Sequence, residues 1–111
     1  MMHVTFADKG LLVGDRVADL LVEYCAVLAR HGDADTVQLN AYGTDGQKIV
    51  AKFALSEGAA LLAESTETDL PDPDNEEAER YLLARIDRRT SPPPARPAHD
   101  TGAAVYDELG L

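Results

Sequence analysis

A chain of 111 residues holds one domain with a modest core, and this one carries 20 acids against 10 bases for a net charge of −10. That balance excludes a surface built to grip phosphate backbones, a single cysteine (Cys25) excludes an internal disulfide and the multi-cysteine zinc sites, and no stretch reaches the roughly 18 apolar residues of a membrane span. Apolar residues make up 45% of the chain but aromatics only 5%, with no Trp, so the core must be built from Ala, Val and Leu.

The opening MMHVTFADKG lacks the basic and apolar regions of a signal peptide. With the lone thiol it leads to the expectation of a cytoplasmic protein, and the wealth of Ala, Asp and Arg fits a GC-rich, bacterial coding bias. In residues 3–7, Val4 and Phe6 alternate with His3, Thr5 and Ala7 at strand period. Asp8, Lys9 and Gly10 supply a turn, and residues 11–13 return as a second strand. Asp15 is placed to cap a helix over 16–31, whose Val17, Leu20, Leu21, Tyr24, Val27 and Leu28 share one face and which Gly32 closes.

Two alternating runs follow. Val37, Leu39 and Ala41 face inward in 36–42, as do Ile49, Ala51, Phe53 and Leu55 in 48–55, and the Asp45-Gly46 pair between them has the chemistry of a tight hairpin turn. Gln38, Asn40, Tyr42, Lys48 and Lys52 would then show on the open face. Residues 56–66 read as a turn at Ser56-Glu57-Gly58 and a strand over 59–65, in preference to a short Ala/Leu helix that Gly58 would weaken. A last helix over 75–89 has Ala78, Tyr81, Leu82 and Ile86 on its apolar side. Beyond it, TSPPPARPAHDTG predicts a solvated, disordered Pro-rich tail over 90–111 that ends in the short apolar segment AAVYDELGL.

The densest charge lies in residues 65–79, which hold seven acids and no base, followed by four arginines in 80–89. Counted from Asp72 as a calcium loop, the sixth residue is Glu77 where a Gly is needed, and the twelfth is Leu83 where a bidentate acid is needed. Helix electrostatics accounts for more of the pattern. Asp74 or Asn75 can cap the helix, Glu76, Glu77 and Glu79 lie at its positive end, and Arg85, Arg88 and Arg89 lie at its negative end. Asp69 and Asp72, with Glu67, remain outside the helix and free to meet a partner.

Cys25 is mid-helix among Leu21, Val22, Leu28 and Ala29, with no base one turn away to make a thiolate. His3, His31 and His99 form no metal spacing, and GTDGQ lacks the pattern of a phosphate loop. In the tail, Val105, Tyr106 and Leu109 would share one side of a helical turn, as the anchors of a docking peptide do.

The fold expected is α+β: an antiparallel meander of four to five strands with both helices on one face, as a single domain over 1–89 with a tail over 90–111. The function expected is a non-enzymatic protein-interaction module with a protein partner, or a homodimer through a sheet edge. No cofactor, metal, nucleic acid or membrane is implied, and an enzyme is not favoured. Candidate contact residues are Val105, Tyr106, Leu109, Tyr42, Asp69 and Asp72. The alternatives are an inhibitor or immunity-like acidic protein facing a basic target, and a small enzyme or divalent-metal binder using residues 67–79.

Overall fold

The computed structural model describes residues 1–90. Seven elements follow in order: β1 (Met2–Phe6), β2 (Lys9–Val13), α1 (Asp15–Arg30), β3 (Ala34–Tyr42), β4 (Lys48–Ser56), β5 (Leu61–Ser65) and α2 (Glu76–Thr90). The strands form one antiparallel sheet in the order β4-β3-β2-β1-β5, and with the two helices they make the α+β fold. Within the segment 59–65 expected to be extended, the strand covers Leu61–Ser65 and starts two residues later, after the turn made by Gly58 at φ 88 and the Ala59 N–H to Ser56 carbonyl bond of 3.0 Å.

The turn between β1 and β2 falls earlier than the sequence suggests. Phe6 pairs with Lys9, so Ala7 and Asp8 alone make the turn, with Ala7 at φ 57, while Gly10 lies inside β2 opposite Thr5. The start of α1 also differs. Val13 is still in the ladder opposite Met2, which leaves one residue for the change of direction; Gly14 occupies the cap position without a side-chain bond, and Asp15 is the first helical residue instead of the cap. The C-terminus follows expectation closely: Gly32 is at φ 60, its N–H meets the Ala29 carbonyl at 3.2 Å, and the Asp33 N–H meets the Leu28 carbonyl at 2.9 Å, which is the Schellman arrangement.

β3 and β4 form a nine-pair hairpin from Ala34↔Ser56 to Tyr42↔Lys48, turned by Asp45-Gly46 with Gly46 at φ 84. By contrast β2 joins β3 through the single pair Leu12↔Tyr42, because α1 begins where the next pairs would form. β5 does not extend the meander beyond β4 but crosses to pair with β1.

That crossing forces curvature. Five flat strands would set β4 and β5 about 19 Å apart, whereas the connector over 57–60 reaches at most ~17 Å when fully extended. The sheet rolls up instead, and Phe6 on β1 meets Phe53 on β4 edge to face, with ring centroids 5.4 Å apart, although two strands separate them in the sheet. Within this curl sit Val4, Val13, Leu39 and Leu55 from the strands and Leu21, Tyr24 and Leu28 from α1, all fully buried. Leu82 and Ile86 carry α2 onto this core, so that α2 lies against α1 and beside the part of β3 that β2 leaves uncovered.

Candidate functional site

The uncovered side of β3 is where the polar groups gather. Asn75, the residue before α2 and 6% exposed, directs its side chain at the strand: its Oδ1 accepts the Asn40 N–H at 2.7 Å and its Nδ2 donates to the Asn40 carbonyl at 2.8 Å. The capping that either Asp74 or Asn75 could provide falls to Asp74, whose Oδ1 accepts the Glu76 N–H at 3.2 Å. The Asn40 Nδ2 in turn donates to the Asp74 carbonyl at 2.8 Å.

At the opposite end of α2, Asp35 at the start of β3 collects three donors. Oδ2 accepts from the hydroxyls of Tyr24 (2.5 Å) and Tyr81 (2.6 Å), and Oδ1 accepts the Thr36 N–H at 2.7 Å. Arg85 lies over the Tyr81 ring, 5.0 Å from its centroid, and Arg89 is ion-paired with Asp33. Burial pushes the Asp35 carboxyl up, but the hydrogen bonds from Tyr24, Tyr81 and Thr36 outweigh it and hold the group below the usual carboxylate range. The same burial, with the bond to Asp35, pushes Tyr24 up to about 12 and raises Tyr81. At neutral pH the cluster is one carboxylate between two neutral phenols, which ties α1, β3 and α2 together and leaves no phenolate or free base for proton transfer. Burial likewise raises the Cys25 thiol, so a thiolate nucleophile is disfavoured there.

A second feature lies on the outer side of the β3–β4 hairpin. The loop over 66–75 crosses the end of the sheet, with the Thr66 N–H on the Met1 carbonyl at 3.2 Å and the Tyr42 hydroxyl donating to the Pro71 carbonyl at 2.7 Å. Between this loop and the hairpin is a cleft of about 410 Å³, walled by Tyr42, Ile49, Val50, Pro71 and Pro73 and edged by Lys48, Asp72 and Asp74. Val50 is 60% exposed beside it, between exposed Lys48 and Lys52.

Tyr42, expected on the open face, is only 4% exposed, because the loop covers it and takes its hydroxyl. It contributes to the cleft as wall and not as surface. Asp72 is exposed and borders the same cleft, close against Gly14, whereas Asp69 is exposed in the loop and borders none of it. Val105, Tyr106 and Leu109 lie outside the described residues. The acids of 67–79 do not converge: among the described residues no group of three or more His, Cys, Asp or Glu side chains is placed to hold a metal ion, and no helix is long and apolar enough to cross a membrane. In the sequence Asn75 reads only as one of two candidate caps, and Val50 falls among the outward positions of 48–55 without being singled out. A valine between two lysines on the solvent side of a strand is the signal that was present. Comparisons of the chain with protein-family models, with curated proteins and with solved structures found no match.

Proposed function

We propose that this chain is a protein-interaction module whose contact surface is the outer side of β3 and β4. The observation that carries the reading is Val50, 60% exposed and adjoining a cleft with apolar walls, on a strand with no acidic residue in a chain of net charge −10. An exposed apolar residue beside a concave surface with a few polar groups at its rim is the anatomy of a recognition site. The Asn75 and Asp35 bonds brace the hairpin against α2, so the surface is presented on rigid elements.

Affinity capture with tagged protein tests the reading when variants are compared in parallel. Val50→Asp is expected to lose the partners that the parent chain retains, while Leu62→Asp, which alters a comparably exposed residue on β5, retains them. Equal recovery by the parent and Val50→Asp removes the β3–β4 surface from the account. A third variant lacking 101–111 measures what Val105, Tyr106 and Leu109 add.

A further inference from the structure

Among the described residues β4 is the terminal strand of the sheet on its side, and only β3 pairs with it. The phase of its backbone follows from Asn40. Because the Asn40 N–H and carbonyl both point to Asn75, Asn40 and its partner Val50 exchange no hydrogen bonds, and the main-chain groups of Val50 point away from β3, out of the sheet. The two-residue repeat gives Lys48, Lys52 and Ala54 the same orientation, and the side chains of all four are exposed. Thus β4 offers a line of donors and acceptors that meet no partner among the described residues, with a lysine on each side of Val50. Neither Lys48 nor Lys52 forms a salt bridge among the described residues.

Lysines on an edge strand discourage indiscriminate pairing, and here they act against two of the registers in which two copies could pair. Antiparallel pairing centred on Val50 sets Lys48 against Lys52, and pairing centred on Lys52 sets that lysine against itself, whereas the register centred on Ala51 sets Lys52 against Val50 and opposes no lysines. A strand carrying carboxylates reverses the sign of both contacts. Asp72 and Asp74, the acids that edge the cleft, belong to a loop bound to β3 through Tyr42 and Asn40, so they stand against an acidic segment laid across the hairpin and not against one laid along the outer edge of β4, where Asp45 and Glu57 lie beyond the ends of the strand.

Resting on the interaction reading above, we propose that the outer edge of β4 receives an extended acidic peptide segment as an added strand. The spacing of the lysines specifies it: carboxylates at i and i+4 opposite Lys52 and Lys48, with an apolar residue at i+2 against Val50.

The test uses the full chain and three end-blocked ten-residue peptides. One has Glu at i and i+4 and Val at i+2 in a Thr/Ser background; the second replaces both Glu with Lys; the third replaces the Val with Ser. Titration followed by amide NMR is expected to show saturable binding of the Glu peptide, slowed exchange of the Val50 and Lys52 amides, weakening with added salt, and at least about tenfold weaker binding of the Lys peptide. Lys48→Glu/Lys52→Glu is expected to exchange the two preferences, and Lys48→Gln/Lys52→Gln to level them, both with unchanged circular dichroism. Equal binding of the Glu and Lys peptides, perturbation confined to residues outside β4, or pairing of two copies through β4 would each overturn the proposal. Captured partners lost with Val50→Asp but kept with Lys48→Gln/Lys52→Gln would overturn it too, while leaving the interaction reading in place.

Discussion

Asn75 acts on Asn40 as a neighbouring strand would, accepting its N–H at 2.7 Å and donating to its carbonyl at 2.8 Å, from a position 35 residues away in sequence. The two bonds close the side of β3 that β2 abandons once α1 begins. Removing the amide leaves two main-chain groups without partners at a half-buried place. Asn75→Ala is therefore expected to destabilise the fold by about 2 kcal/mol, read as a lowered urea midpoint with unchanged m-value.

The carboxylate of Asp35 binds two phenols at once, so its partners should be coupled. Tyr24→Phe and Tyr81→Phe each remove one donor and are each expected to cost about 1 kcal/mol, since the other phenol and the Thr36 N–H still serve the charge. The double variant leaves one donor for a partly buried carboxylate, and is expected to cost more than the sum of the singles by about 0.5 to 1 kcal/mol in a double-mutant cycle.

These shifts also set the pH range of stability. Tyr24 titrates at about 12 in the fold against about 10 in an unfolded chain, so its contribution is complete below pH ~10 and is lost as pH rises towards 12. Asp35 is held below its unfolded value, so its contribution is present above pH ~4 and is lost as pH falls further. Melting temperature measured against pH should fall at both limits. Tyr24→Phe flattens the alkaline limb and Asp35→Asn the acid limb.

Ala7 sits at φ 57 in the two-residue turn between β1 and β2, a conformation that costs a residue with a Cβ roughly 1–2 kcal/mol. Ala7→Gly relieves this and gives back part of the gain through the freer unfolded chain. The net expectation is a stabilisation of up to about 1 kcal/mol, visible as a raised melting temperature.

What could be read from the sequence was local. The Asp45-Gly46 hairpin, the amphipathic face of α1, its Schellman end and the apolar side of α2 each announce themselves within a window of a few residues. What could not be read depended on distant partners. Nothing within 59–65 indicates that β5 pairs with β1, because that choice follows from the curl of the whole sheet. Tyr42 alternates like an exposed residue and is buried by a loop some thirty positions later. Asn75 stands where a cap is expected, so its bonds to Asn40 stay hidden until α2 is laid beside β3. Of the candidate contact residues, Asp72 was recognisable as an acid outside the helix, but its place at the rim of the cleft required the crossing of the loop.

The crossing of β5 to β1 has a consequence for the order of folding. The hairpins β1–β2 and β3–β4 join neighbours in the chain and close on the microsecond scale of local turns, ~1–10 μs. The pairs Phe6↔Leu61 and Met2↔Ser65 join residues 55 and 63 positions apart, with β2, α1 and the β3–β4 hairpin between them. The loop-closure entropy of that long separation is smallest once the intervening elements have drawn its ends together, so β5 is expected to pair late in folding and to release early in unfolding, which native-state hydrogen exchange of the β5 amides against those of β3 and β4 checks.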